Sequence, residues 1–464
     1  MKFQYNINGG FIMKTAIIMA AGKGTRMHSD LPKTLHKICE KPMVEHIIDN
    51  LRTIGIEEIV TVVGYGAKQL EDYLQEKTMY ALQEPQLGTG HAVMQASQLK
   101  EKEGITLVVN GDCPLIQPET FEKMFDELKD ASMLVLTAKL KDPKQYGRVI
   151  RDEAGNVLKI VEFKDCSTEE STVNEINTGI YAFNTQDLFQ NLEKLENNNN
   201  QNEYYITDLV EILNKQEKQV KALVIEDAEE ASGVNDRLEL AMANQWLQKK
   251  INEKWMKLGV TLINPDQTYI GADVVIGEDT IIYPNNYLLG KTTIGTHCTI
   301  LSGCYIADSL IGDYNKIDNS RITDSRIANH VSLGPWAHLR NGCNVADKNR
   351  IGNFVEMKNS SIGEDSRCAH LTYVGDSTVG SRVNFGCGVV TVNYDGINKF
   401  RTTIKDGAFI GSNVNLIAPI EIGENAVVAA GSTVYQNVND GEMAIARERQ
   451  VNKAGYGIKY KTKK

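Results

Sequence analysis

The chain's absences narrow the field first. None of its eight cysteines stands in a C-x-x-C spacing, and 464 residues can bury ample core without covalent staples. A disulfide scaffold and a zinc ribbon are therefore disfavoured, and reduced thiols in a cytoplasmic protein are expected. Long hydrophobic runs are also missing. The first apolar stretch, from Phe11 to Ala21, is broken by Lys14 and is too short to span a bilayer. Lys2 ahead of it gives a faint likeness to a secretory leader, but a buried first strand is the better reading. Positive charge is not in excess: a net charge of −10 and a pI near 5.5 argue against partnership with nucleic acid or an anionic membrane. The residues before Met13 carry no pattern, and the basic tail Lys459 to Lys464 reads as a solvated terminus.

What the chain does have is a sixfold beat. From about Ile263 to Val434 an aliphatic residue followed by a small or polar one recurs every six positions, as in Ile270-Gly271, Ile276-Gly277, Ile294-Gly295, Ile351-Gly352 and Ile422-Gly423. Neither a 3.6-residue helix nor simple strand alternation gives that period, but a short strand and a turn, repeated, does. Three such sides make one coil, and stacked coils bury aliphatic ladders that one coil alone could not. Evenly spaced β-sandwich strands would recur every 8–12 residues instead.

The first half reads as α/β. Thr15 to Ala21 is a continuous apolar run that feeds the glycine turn Gly22-Lys23-Gly24-Thr25-Arg26-Met27. Backbone N–H groups in such a turn can approach a phosphate. Met27 occupies the place of the third glycine of a dinucleotide fingerprint, and no G-K-[ST] ends the turn, so neither common nucleotide motif applies. Taken alone the turn is as compatible with structure as with function. Arg26 and Lys33 add two cations that a structural turn would not need. Residues 42–51 have helical spacing and residues 58–63 form a second buried strand; strand, helix, strand implies a parallel sheet. Asp112 follows another apolar strand, 105–109, where open α/β sheets bind ligands, although it could simply cap the next turn.

Several short stretches, Ala20 to Met27, Asp30 to Lys33, Gln86 to His91, Gly111-Asp112, Tyr146-Gly147-Arg148, Glu175 to Gly179 and Gly233 to Asn235, together resemble the sugar-1-phosphate nucleotidyltransferases. Within them the chain is similar to the bacterial bifunctional N-acetylglucosamine-1-phosphate uridylyltransferase and glucosamine-1-phosphate acetyltransferase family, over essentially all of Met13 to Gly457. The resemblance implies a Rossmann-like, mostly parallel uridylyltransferase domain at 13–236 and a linking helix at 237–258. A left-handed parallel β-helix of hexapeptide repeats at 259–464 would carry the acetyltransferase, in a homotrimer.

By the same resemblance Ala20, Ala21, Gly22, Gln83, Gly88 and Thr89 would hold the uridine of UTP, and Gly147, Glu162 and Asn177 the N-acetyl sugar. Asp112 and Asn235 would bind Mg²⁺, and Arg26 and Lys33 would neutralise the departing pyrophosphate. Two oxygen ligands suit Mg²⁺, which leaves room for phosphate oxygens and waters.

In the rod the beat fails twice, at Ala369 to Tyr373 and at Asn393 to Arg401, and insertions in solenoids gather at binding faces. The resemblance makes His370 the general base, and Glu356 would orient it, by analogy with the carboxylates of other catalytic triads. Arg340, Lys358, Tyr373, Asn384 and Lys399 would hold glucosamine 1-phosphate; Cys387, Asn393, Tyr394, Ser412, Ala430 and Arg447 would line the acetyl-CoA path, Asn393 reaching toward the substrate amine. An imidazole titrates near neutrality and suits removal of an amine proton. The sequence departs from the commonest pattern at Asn341, Ala369, Phe385, Cys387 and Val389, none of which removes a reacting group. Cys387 beside the acyl path would make that site sensitive to thiol reagents.

Two other functions fit the same modules. One is a single-activity sugar nucleotidyltransferase with a structural β-helix arm; the other is a non-catalytic scaffold. His370 and Tyr373 argue against the first, and Lys33 and Asp112 against the second.

Overall fold

The computed structural model describes residues 13–458, so the readings of residues 1–12 and of the tail from Lys459 lie outside the described residues. The chain divides into two compact units at Leu247/Gln248.

The first unit is built on one mixed sheet. Its strands run Val220–Val224, Met133–Lys139, Glu175–Asn184, Ile105–Asn110, Lys14–Met19, Glu58–Val63, Met79–Leu82 across the sheet. Along this order pairings are parallel except where Glu175–Asn184 runs against both of its neighbours, and Arg148–Arg151 and Val157–Val161 add an antiparallel pair beside it. Alternate residues of the first strand enter different cores: Ala16 and Ile18 pack on one face with Ile47 and Phe121, while Ile17 packs on the other with Val93 and Leu209. This two-sided burial is why the strand reads as an unbroken apolar run. Lys14–Met19 pairs with Glu58–Val63 on one side and with Ile105–Asn110 on the other. Strand order therefore reverses there, and the loops after Met19 and Asn110 border the crevice where such sheets bind ligands.

The helix Arg237–Lys257 follows. It presents no continuous apolar side. Ala243 and Leu247 are buried in its first half, whereas its second half buries Gln248, Asn252 and Trp255 and leaves Met256 exposed. Gln248 donates to the Ile270 carbonyl at 3.1 Å, and Asn252 donates to those of Pro265 and Thr268 at 2.8 and 3.0 Å. These amides occupy carbonyls at the open end of the rod, which no apolar side chain could do.

The second unit is a parallel β-helix of short strands, with pairing from coil to coil along three faces. Ile270, Ile276, Ile282, Leu288, Ile294 and Ile300 begin a single buried column that runs its length. The small residue after each aliphatic has a steric cause: a Cβ on Gly277 would come within 2.7 Å of the Gly295 backbone. Coils are not uniformly three hexads. Thr268 faces Asn286, eighteen residues on, but Tyr305 faces Arg321, sixteen on, because some sides are a residue shorter. The coil holding residues 393–401 is longer, so that Asn384 pairs with Phe409. This excursion leaves after the strand Val390–Val392 and returns at Thr402–Ile404.

Candidate functional sites

At the crevice of the first unit two cavities meet. One, of about 250 Å³, is lined by Ala20, Ala21, Gly22, Lys33, Gln83, Gly88 and Thr89. The other, of about 750 Å³, is lined by Arg26, Gly147, Glu162, Asn177 and Asn235. Met19, Thr89, Asn110 and Asp112 border both. The structure thus brings the residues assigned to the nucleotide into one cavity and those assigned to the sugar into its neighbour, with Asp112 at the junction. Gly24 takes a left-handed conformation (φ 58°) and a Cβ there would strike the Lys33 stem at 2.6 Å, so the turn requires a glycine on both counts.

Lys33 Nζ donates to Asp112 Oδ2 and, at 3.2 Å, to Asn235 Oδ1. Two hard oxygen donors, one charged and one neutral, already converge on one positive group. That arrangement fits a Mg²⁺ that takes its other ligands from phosphate and water. Among the described residues no group of three or more His, Cys, Asp or Glu gathers into a dedicated protein cage.

The sugar cavity has two features that motif reading missed. Burial raises the Glu162 carboxyl above its usual value, with Asp165, Asp208 and Glu203 adding repulsion. Arg148, 2% exposed, is the second. Its guanidinium donates to the carbonyls of Tyr146 and Lys144 (3.0 Å), with longer contacts to Pro143 and Ser171. It therefore clasps the loop that carries Gly147, a role the Tyr-Gly-Arg motif could have signalled through its arginine.

On the rod, Arg340 pairs in register with Lys358, and Lys358 with Gly375. Lys399 reaches the same place from the excursion, and its ammonium, with some burial, lowers the pKa of Lys358. Two neighbouring ammonium groups form an anion site. Asp376 stands behind them. Burial opposes its ionisation, but bonds from Asn359 (2.6 Å) and Asn393, with the charges of Lys358 and Lys399, keep its carboxyl below the usual range. The Tyr373 phenol folds over Gly375, next to this cluster.

Three expectations are corrected here. Glu356 does not orient His370: its Oε1 accepts from Arg340 Nε and Nη2 at 3.0 and 2.5 Å, and it lies in register with Tyr373. His370 Nδ1 instead lies 3.0 Å from Asn353 Oδ1. Asn393, expected beside acetyl-CoA, is buried against Asp376 because it leaves the rod at the corner that carries the cations. Asn384 is not with the other phosphate residues of its own chain; it faces Arg367 and Phe409 on another row.

Cys387, Ser412 and Ala430 stack on successive coils, all exposed. Their backbones are linked in turn by Asn413 N to Cys387 O (2.7 Å) and Gly431 N to Ser412 O (2.8 Å). Gly388 N donates to Leu371 O at 3.0 Å, which continues the row to Leu371, the residue after His370. Arg447 lies beside Gly431 at the far end. Tyr394, exposed on the excursion and bridged to Lys399, is off this row. The rod so offers an anion site beside the end of Arg367–Gly375 and an imidazole earlier on the same strand, with an exposed row leading away from the imidazole.

Comparison with known proteins gives two family matches. Residues 15–261 match the nucleotidyl transferase family, and residues 273–308 and 401–436 match the bacterial transferase hexapeptide (six repeats) family. Among curated proteins, the chain is 49% identical to a bifunctional protein GlmU from Halalkalibacterium halodurans, over 96% of this chain and 98% of that one. It is 50% identical to one from Exiguobacterium sibiricum (95% and 99%) and 47% identical to one from Listeria monocytogenes (95% and 97%).

Proposed function

The chain belongs to the family of bifunctional GlmU proteins, and from that membership we propose how its residues divide two reactions between two sites. It is a transferase with two activities. One moves an acetyl group from acetyl-CoA to glucosamine 1-phosphate; the other moves a uridylyl group from UTP to N-acetylglucosamine 1-phosphate and releases pyrophosphate. Its rod is a left-handed parallel β-helix. The observation that carries the assignment is that each compact unit has its own built site, phosphate-facing in one and imidazole-bearing in the other.

In the first unit Ala20, Ala21, Gly22, Gln83, Gly88 and Thr89 seat the uridine nucleotide, and Gly147, Glu162 and Asn177 seat the sugar across the shared wall. A sugar-phosphate oxygen attacks the α-phosphorus in line; the new P–O bond forms as the bond to pyrophosphate breaks. Asp112 and Asn235 would hold Mg²⁺, which when bound would supply positive charge to the phosphate oxygens. Arg26 and Lys33 neutralise charge that accumulates on pyrophosphate. Among the side chains this is positioning and electrostatics, not proton transfer.

In the second unit Arg340, Lys358 and Lys399 take the phosphate of glucosamine 1-phosphate, and Tyr373 faces the sugar. The amine attacks the thioester carbonyl, His370 accepts the proton, and CoA leaves as the thiol. Acetyl-CoA lies along Cys387, Ser412 and Ala430 with Arg447 facing a phosphate. Asn384 reaches the substrate of a neighbouring chain. A homotrimer supplies that neighbour, and the exposed Trp336, Phe354 and Leu371, the first two stacked at 5.2 Å, give it an apolar seam to cover. Three chains of 51.6 kDa make 154.8 kDa, the mass expected in sedimentation. The enzyme works in the cytoplasm, a reading supported by eight cysteines that stand as thiols; among the described residues no helix is long and apolar enough to cross a membrane.

Reciprocal variants test the division. Asp112→Ala should abolish pyrophosphate release and spare acetyl transfer, and His370→Ala should do the converse, by about 10²–10⁴-fold. Loss of both activities in either variant would contradict it.

A further inference from the structure

At most corners of the rod the coil-to-coil pairing breaks. The strands Arg350–Lys358 and Arg367–Gly375 are different: nine residues each, they stay paired through the corner, with Asn353 directly opposite His370. The close approach is built in by the preceding residue, since a Cβ on Gly352 would sit 1.8 Å from the Ala369 carbonyl oxygen. The two side chains therefore have little choice of partner, and Asn353 Oδ1 meets His370 Nδ1 at 3.0 Å. The carboxylate that could have taken this place, Glu356, is engaged by Arg340.

We propose that Asn353 is the positioning residue for acetyl transfer: its amide oxygen accepts the Nδ1–H of His370, which fixes the tautomer whose Nε2 lone pair faces the substrate amine. This rests on the reading of His370 as the base. An imidazole free to exchange tautomers would present a proton, not a lone pair, to the amine for part of the time. A neutral amide orients the ring without adding the negative charge that an aspartate or glutamate partner would bring. The charged and titratable groups nearest in register are Glu356 on the strand below, already paired with Arg340, Arg367 and Tyr373 on its own strand, and Cys387 on the coil above.

The test uses the full chain. Asn353→Ala should lower kcat for acetyl transfer about tenfold to a hundredfold, part of the ~10²–10⁴ a general base supplies. It should leave KM for glucosamine 1-phosphate and the rate of pyrophosphate release unchanged. Asn353→Asp should restore most of the rate at high pH and move the acid limb of the pH–rate profile up by about one unit, because a facing carboxylate stabilises the protonated ring. In ¹⁵N spectra of histidine-labelled protein, His370 should carry its proton on Nδ1 in the wild type. An unmoved acid limb in Asn353→Asp, or a proton resident on Nε2 in the wild type, would overturn the proposal. His370→Ala separates the two ideas: if it retains acetyl transfer the base assignment itself is wrong, whereas if it is inactive and both Asn353 variants behave as wild type, only the positioning role falls.

Discussion

Arg148 offers a demanding check on the sugar site, because it touches no substrate in the mechanism above. Its buried guanidinium makes two close bonds to loop carbonyls, to Tyr146 and to Lys144 at 3.0 Å, and two long ones at 3.4 and 3.5 Å. Each close bond from a charged donor is worth about 1.5–3 kcal/mol, so about 3–6 in all. Burying the guanidinium costs several kcal/mol in return. Replacement by methionine keeps the length and removes both terms, which leaves a net loss of about 1–3 kcal/mol, concentrated in the loop that presents Gly147. At about 1.4 kcal/mol per factor of ten, the seated loop is depleted some 5- to 150-fold against its alternatives. Arg148→Met should therefore raise KM for N-acetylglucosamine 1-phosphate about tenfold or more, with KM for UTP nearly unchanged. Acetyl transfer, housed in the other unit, is the internal control. Continuous measurement of pyrophosphate gives both constants. An unchanged sugar KM in a folded Arg148→Met protein would refute the idea that this arginine holds the loop.

Lys399→Met should raise KM for glucosamine 1-phosphate about tenfold, the scale of losing one charge-assisted contact, and should flatten its dependence on ionic strength; equal salt sensitivity in both proteins would place the phosphate elsewhere. Asp208 gives a pH test of stability. Burial, with Glu211 and Asp165 nearby, raises its carboxyl to about 6 from 3.8. The folded state thus binds the proton more tightly than the unfolded state, so the destabilisation is full above about pH 6 and disappears as pH falls through that value toward 3.8. Asp208→Asn should raise Tm at pH 7.5 by about 2–4 °C, a value discounted for partial exposure, and by nothing near pH 4. A gain of the same size at both pH values would show that the charge is not the cause.

The sequence made the architecture legible because both halves repeat simple physics. A strand buried on both faces must be apolar throughout, and a rod in which an added Cβ would meet the next coil's backbone at 2.7 Å must put glycine or another small residue after its core aliphatics. The residues that line the two cavities of the first unit were legible because most of them lie in short contiguous motifs at strand ends. The histidine's partner was not. Counting three full hexads back from His370 gives Gly352, but the side from Met357 to Ile362 is one residue short, and this slip brings Asn353 into register instead. Analogy with carboxylate-bearing triads pointed to Glu356, which the neighbouring Arg340 had already claimed. Asn393 was misplaced for a related reason: the beat marks where the chain leaves the rod, but not which of three corners it leaves from. Gln248 and Asn252 escaped notice because polar residues on a helix read as a solvated face, whereas here they close the end of a solenoid.

The central claim is that one chain carries two independent transfer sites, one dependent on metal. Purified protein supplied with glucosamine 1-phosphate, acetyl-CoA and UTP, with free thiol and pyrophosphate followed separately before and after EDTA, tests it most directly. The account predicts both products at first and, after chelation, continued thiol release with pyrophosphate release abolished. Pyrophosphate formation from supplied N-acetylglucosamine 1-phosphate without any thiol release from glucosamine 1-phosphate would contradict it and reduce the rod to a structural arm.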